Sequence, residues 1–305
     1  MEKEKQELKE WEKVGKIAAR IMDYAKKIAK KEMPLIELAE AIEKKVSKLA
    51  VKSAFPVNLS IDAVAAHYSP CSEDNLLARG LLKIDLGINN NGFISDMACS
   101  LDLTEKGEYT DLIKASEYAL KEALKVIEPG ISVCEIGEVI HDVISTFDAK
   151  PIFNLTGHEL KRWILHAGLT IPNYNDGDMT KIEEGMVLAI EPFATYGEGF
   201  VKNGEQSCIY VMKKAEKADY NVHSKNARIL LEFIKEKYKS LPFSSRWLVK
   251  KFGKNVLLTL KMLEEKGILH NFKQLIEKSG GVVSQAEHTI LVTKDGCKIL
   301  TIDEE

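Results

Sequence analysis

The amino-acid sequence predicts an α+β fold: an antiparallel-rich sheet backed by long helices, with a helical segment inserted ahead of the last strands. Three observations carry that expectation. Four stretches repeat apolar residues at helical spacing. Short apolar runs cut by turn residues lie between and after them, and one pair carries a strong hairpin signal. From about residue 218 to 279 the chain turns helical and basic before two closing strand-like runs.

Residues 6–31 place Ala, Ile and Met at helical intervals among Lys and Glu, with Gly15 the only break. Met33-Pro34 interrupts the period, since proline lacks the N–H a helix needs, and residues 35–50 resume it. From Ala54 short apolar runs take over. LLKIDLGI and FISDMACSLDL flank Asn89-Asn90-Asn91-Gly92, residues that tolerate the positive φ of a tight hairpin turn. Helical periods return at 108–127 and 132–147, separated by Glu128-Pro129-Gly130, with Ser132 as the N-cap. Strands are expected at 150–156, 186–195 and 205–212, and GVVSQAEHTILV and CKILTI read as the closing pair. The expected division is a main domain of residues 1–217 and 280–305 with an inserted helical subdomain at 218–279. The last pair of helical stretches in the insertion has a winged-helix-like pattern.

The 305 residues carry 46 acidic and 43 basic side chains, a formal net charge of −3. That balance argues against a protein held wholesale to nucleic acid or an acidic membrane. The insertion alone carries 13 Lys/Arg against 6 Asp/Glu, a net of +7, which leaves −10 for the rest. Only five basic residues are Arg (Arg20, Arg79, Arg162, Arg228, Arg246), and a Lys bias is poorly suited to base-edge readout. No sequence-specific nucleic-acid partner is expected. Cys71, Cys99, Cys134, Cys208 and Cys297 are odd in number, widely spaced and without a CxxC, so they read as reduced thiols. The first residues lack the apolar core of a signal peptide, and no apolar run approaches a membrane span. A cytoplasmic protein with no membrane partner is expected.

Four carboxylates stand out. Asp85, Asp96, Glu191 and Glu287 each sit in a segment that otherwise reads as buried strand, none with an evident Lys or Arg partner. A buried carboxylate needs a cation, hydrogen-bond donors or a proton. For any one of them a wet strand face is the simpler explanation; four together are not so easily absorbed. A hairpin turn centred on Asn90-Asn91 would pair Asp85 with Asp96 directly, one centred on Asn91-Gly92 would leave them diagonal on one face, and only an odd-length loop would put them on opposite faces. With His158 of TGHEL added, five donors carry four negative charges, which two divalent ions would neutralise. Oxygen donors with one imidazole suit Mn, Fe, Co or Zn. Such a pair would supply a hydroxide nucleophile near neutral pH and polarise a carbonyl, the chemistry of a dinuclear metallohydrolase.

At this point the chain resembles the type 2 methionine aminopeptidases of the creatinase/prolidase, or pita-bread, superfamily. The similar segments run along nearly its whole length: AFPVNLSIDAVAAHYSP, LLKIDLG with Asp96 eleven residues on, TGHELKRWILHAG, MVLAIEPFAT, LPFSSRWL and SQAEHTILV. The insertion before the last glutamate is similar to that of type 2 enzymes, and the absence of a long N-terminal extension resembles the compact archaeal forms. The resemblance implies a pita-bread catalytic domain and removal of the initiator methionine from nascent peptides with a small second residue. It implies that Asp85 chelates one metal, Asp96 and Glu287 bridge two, and His158 and Glu191 bind the second. Glu191 would also move a proton. His67 and His166 match the non-ligand histidines that contact the scissile amide and stabilise the tetrahedral intermediate. Phe55, Leu165 and Phe272 match the wall of the methionine pocket. The chain departs from the pattern at Ala286, where Phe is usual, at Asp62 for Asn, at Ile209 near a position some type 2 enzymes fill with His, and at Phe272 for Tyr.

His141, His223, His270 and His288 are expected to hold no metal, His288 because strand alternation turns it away from Glu287. Two other readings are carried. One is a non-enzymatic pita-bread relative that binds RNA or ribosomes through the basic insertion; the other is an Xaa-Pro peptidase. Ribosome docking by the insertion is also compatible with the enzyme, and family precedent implies a monomer.

Overall fold

The computed structural model describes residues 2–213 and 224–303. The expected boundary at 217/218 and His223 lie outside the described residues.

Helices α1 (Glu2–Ile28) and α2 (Leu35–Lys48) form where the apolar periods place them. Trp11, Val14, Ala18, Ile21, Met22 and Ala25 make one buried stripe on α1, packed against a strand hairpin. Burying a large apolar side chain such as Ile21 contributes about 1.5–3 kcal/mol. Gly15 is required: a Cβ there would lie 2.2 Å from the carbonyl oxygen of Leu300, so the C-terminal segment crosses the helix at that point.

The hairpin runs Leu81–Asn90 and Phe93–Asp102, turning at Asn91 (φ 52°) and Gly92 (φ 94°). Positive φ at both central residues is the type I′ geometry that fits strand twist. Asp85 faces Ala98 and Gly87 faces Asp96, so the two aspartates are diagonal neighbours on one face. Strand Asn58–Ile61 covers the other edge of Leu81–Asn90, with Asn58 opposite Asp85 and Ser60 opposite Lys83.

Helices α3 (Thr110–Val126) and α4 (Val133–Ser145) pack on a second core, and Ser132 and Glu135 close a capping box at the start of α4. A five-stranded sheet has the order Gly296–Ile299, His288–Thr293, Val187–Ile190, Thr156–Leu160, Thr170–Pro172. Two expected strands are broken. The 150–156 run is a short strand Lys150–Pro151, then a loop up to Thr156. The 186–195 run breaks at Glu191-Pro192: Val187–Ile190 lies in the five-stranded sheet, whereas Phe193–Thr195 pairs with Val283–Gln285 and Lys150–Pro151 in another. The closing run breaks likewise at Ala286-Glu287. Register is unchanged across both breaks, with Ile190 opposite His288 and Phe193 opposite Gln285, which sets Glu191 across from Glu287.

The three helical stretches expected in the insertion form helices, and a strand follows them. Helices α5 (Lys225–Lys237), α6 (Ser245–Phe252) and α7 (Val256–Glu265) enclose their own cluster of Leu230, Ile234, Phe243, Leu248, Leu260 and Leu263. Residues Leu269–Glu277, however, form a strand paired with Val201–Met212 and Val64–Ala66. Its start alternates buried Leu269 and Asn271 with exposed His270, a two-residue period that the basic composition masks. The expectation of five reduced thiols is also corrected. Cys71 and Cys208 form a disulfide, 137 residues apart in sequence and 5.6 Å between Cα atoms, while Cys99, Cys134 and Cys297 are free. Only folding brings the loop after His67 beside strand Val201–Met212, so spacing carries no signal for that pair.

Candidate metal centre

Three transverse rows of residues build the site. Gly87, Asp96, Thr289, Ala189 and His158 lie across the sheets in one row: Asp96 exchanges hydrogen bonds with the Thr289 hydroxyl at 2.7 Å, and Ala189 pairs with both Thr289 and His158. Two residues along, Asn58, Asp85 and Ala98 are followed by Glu287, joined to Ala98 through paired main-chain bonds, with Glu191 opposite. Two residues further, Ser60, Lys83 and Ser100 lead to Gln285, whose main chain both donates to and accepts from the Ser100 hydroxyl at 2.8 Å. A spacing of two keeps all three rows on one face. The breaks at Glu191 and Glu287 fall in the middle row, where the strands change sheets.

All ten sequence-predicted site residues line one cavity of about 380 Å³. His158 Nε2 is 3.6 Å from Asp96 Oδ2 and 3.7 Å from Glu191 Oε1. Donor atoms of Asp96, His158 and Glu287 all lie within 4.8 Å of one another. Among the described residues no Lys or Arg pairs with any of the four carboxylates, and Asp85 Oδ1 and Asp96 Oδ1 are buried without a hydrogen bond. Burial pushes the Asp85 carboxyl up to about 7. Burial, with mutual repulsion added, raises Asp96, Glu191 and Glu287 well above the usual carboxylate range. Desolvation takes His158 down to about 3, so its imidazole is neutral and able to ligate. This donor set, hard oxygens with one neutral nitrogen, fits divalent cations. His288 turns the other way, its Nδ1 2.8 Å from the Thr301 hydroxyl.

The two other histidines flank the cluster. The His166 ring centroid is 4.2 Å from that of His158, and burial lowers its pKa. His67 sits at φ 63°, a left-handed conformation uncommon for a non-glycine residue. Its Nδ1 is 3.2 Å from the Lys273 carbonyl, and its ring meets Phe272 edge-on at 5.1 Å. Burial holds His67 neutral down to about pH 4. A carbonyl only accepts, so Nδ1 carries the proton and Nε2 presents a lone pair.

Sequence reasoning missed Gln285 and Pro242. Gln285 Nε2 reaches Glu191 Oε2 at 3.4 Å, and the Gln285 amide partly opposes the rise that burial causes at Asp85. Its position two residues before Glu287 was the available signal, because strand alternation places both on one face. Pro242 and Ile209 add to the cavity's apolar wall. Asp62, another departure from the resemblance, lies at φ 50°, and its carboxylate accepts the Leu81 N–H at 3.0 Å.

Fold and donor set together define a metallopeptidase, and a profile of metallopeptidase family M24 matches residues 9–294. The chain belongs to that family. Within it, the chain is 39% identical over 300 residues to a methionine aminopeptidase of Methanocaldococcus jannaschii, covering 97% of this chain and 99% of the relative. It is 42% identical over 291 residues to that of Pyrococcus abyssi, covering 94% and 97%. Solved structures share the pita-bread fold. A thermophilic Arx1 superposes with TM-score 0.82 at 17% identity, covering 96% of this chain and 90% of that one. A methionine aminopeptidase from Rickettsia prowazekii gives 0.68 at 19%, covering 98% of both, and a prolidase from Pyrococcus furiosus 0.63 at 19%, covering 99% and 65%. No helix among the described residues is long and apolar enough to cross a membrane.

Proposed function

We propose that the chain is a type 2 methionine aminopeptidase that removes the initiator methionine from nascent peptides with a small second residue. The observation that carries this reading is a cluster of four carboxylates, none paired with a Lys or Arg among the described residues, and a neutral imidazole at the base of an apolar cavity. Asp85, Asp96, His158, Glu191 and Glu287 would hold two divalent ions of the Mn, Fe, Co or Zn class. Bound there, the ions supply a water of lowered pKa and a Lewis acid for the scissile carbonyl.

The remaining work falls to the chain itself. Phe55, Leu165 and Phe272 offer apolar surface to the methionine side chain, and the acidic base receives its α-amino group. His67 Nε2, with its lone pair, suits the N–H of the scissile amide. An oxyanion needs a donor, which assigns it to His166. Glu191 is tied to Gln285 and stands opposite Glu287, placed to carry a proton to the leaving amine.

The 218–279 insertion, with its own hydrophobic cluster, is proposed as a subdomain that covers the site mouth. Its exposed lysines, Lys250 among them, offer anionic ribosomal RNA a docking face. A cytoplasmic monomer fits this reading. The non-enzymatic alternative is disfavoured because all five ligand positions are occupied by donors. Assay of Met-Gly-X against Xaa-Pro peptides, with metal analysis of the same preparation, tests it. Hydrolysis of the first with two bound ions is expected; Xaa-Pro cleavage alone, or a metal-free inert protein, would overturn it.

A further inference from the structure

Lys83 is fully buried, 1% exposed, yet it has no carboxylate within ion-pair distance among the described residues. A Lys amine taken out of water is costly unless oxygen acceptors replace its hydration. Its acceptors are two main-chain carbonyls from distant parts of the chain. Nζ donates to Val283 at 2.7 Å and to Asp62 at 3.0 Å.

The placement of those carbonyls is informative. Asp62 lies in the turn after Asn58–Ile61, held by the bond from Leu81, and its carbonyl also accepts the Val283 N–H at 3.1 Å. Val283 opens the strand that carries Gln285 and leads into Glu287. Lys83 itself lies two residues from Asp85, in the third row, facing Ser100, which grips the Gln285 main chain. Asp85 and Asp96 come from the hairpin sheet, whereas Glu191 and Glu287 sit where strands leave the three-stranded sheet. Between the hairpin sheet and the strand leading to Glu287 the main chain is joined at the isolated Ala98–Glu287 bridge and by the Val283 N–H to the Asp62 carbonyl. Two side-chain links add to these, Ser100 on Gln285 and Lys83 on Val283, while Thr289 ties Asp96 to the five-stranded sheet.

We propose that Lys83 is a positioning residue for the metal centre, a buried amine whose two donated hydrogen bonds clamp the hairpin sheet to the strand entering Glu287. It thereby sets the separation of the Asp85/Asp96 pair from the Glu191/Glu287 pair. This rests on the reading that those four carboxylates hold metal. Its amine makes no contact with them, so its action on the centre is through the backbone.

The test compares wild-type protein with Lys83→Met, which keeps the stem and removes the donor. Metal-stripped samples are titrated with Mn²⁺ by calorimetry, melted without metal, and assayed after loading. The expected result for Lys83→Met is a loss of about 10–100-fold in affinity for at least one ion, the scale of losing an outer partner of a ligand. Turnover falls with it, and KM stays within about twofold because the substrate walls are untouched. Lys83→Gln, which keeps an N–H donor, restores part of the affinity. A lowered melting temperature with wild-type Mn²⁺ affinity and turnover would make Lys83 a packing residue only and overturn the proposal. Should Lys83→Met not fold, Lys83→Gln is read by the same criteria. Failure of the wild-type arm to bind Mn²⁺ would instead sink the metal reading, and this inference with it.

Discussion

Two regions of this molecule bury charge, and they do so in opposite ways. Where α6 meets α2, Arg246 forms a two-pronged pair with Glu43 at 2.8 and 2.9 Å, and its Nε donates to the Pro70 carbonyl at 3.0 Å. Every charge there has a partner. In the cavity floor four carboxylates have Gln285, the Met97 main chain, one another and a neutral His158 beside them, and no Lys or Arg among the described residues. A satisfied buried pair marks an interface held in register; an unsatisfied cluster marks a place where something else binds. The same burial thus means architecture in one region and chemistry in the other.

The sharpest break in that comparison is Glu287→Ala. Loss of a carboxylate that would help hold the ions is expected to abolish measurable turnover and lower bound metal, exceeding the ~10–100-fold cost of an outer partner. Full activity in a metal-counted preparation would end the dinuclear reading. Arg246→Met should do the reverse. Leaving Glu43 buried without its partner costs about 3 kcal/mol, seen as a lower denaturation midpoint, with kcat unchanged well below the transition. A kcat loss without destabilisation would move Arg246 into the functional class.

The pH dependence of the metal-free protein is the next effect. Asp85 has its folded pKa raised to about 7, and the three partners are raised as well. A carboxyl so raised contributes stability that is full below its unfolded value near 3.9 and is lost as pH rises through the folded one. The cluster therefore destabilises the stripped protein progressively towards pH 8, where bound cations offset the repulsion. The melting-temperature rise on adding Mn²⁺ should be larger at pH 8 than at pH 5.5. An equal rise at both would mean that the carboxylates do not take up the ions. The smallest effect belongs to the surface. Reversing Lys250 and Lys251 to Glu should reduce ribosome co-sedimentation at low salt, an interaction that screening weakens. Unchanged co-sedimentation would remove the docking role while leaving activity intact.

Local chemistry made half of the site legible in advance. Either two-residue turn that the sequence offered puts Asp85 and Asp96 on one face, and the structure selects the one centred on Asn91-Gly92. Capping at Ser132 and the strand alternation that turns His288 from Glu287 were legible for the same reason, since neighbours in sequence decide them. The Leu269–Glu277 strand was not, because its partners are the strands Val64–Ala66 and Val201–Met212, and the pairing overrides a basic, helix-like composition. The Cys71–Cys208 bond, the Arg246–Glu43 pair and the carbonyl cage around Lys83 join residues more than a hundred positions apart, or through main-chain atoms that carry no residue identity.

The sequence by itself determined the four carboxylates in apolar surroundings, because residue chemistry and burial pattern are local properties; which of the seven histidines joins them came from the family resemblance. Only the tertiary structure decided that Glu191 stands across from Glu287 and beside the aspartate pair. That juxtaposition depends on two strands changing sheets at the same level while keeping register, which is a property of packing between distant segments.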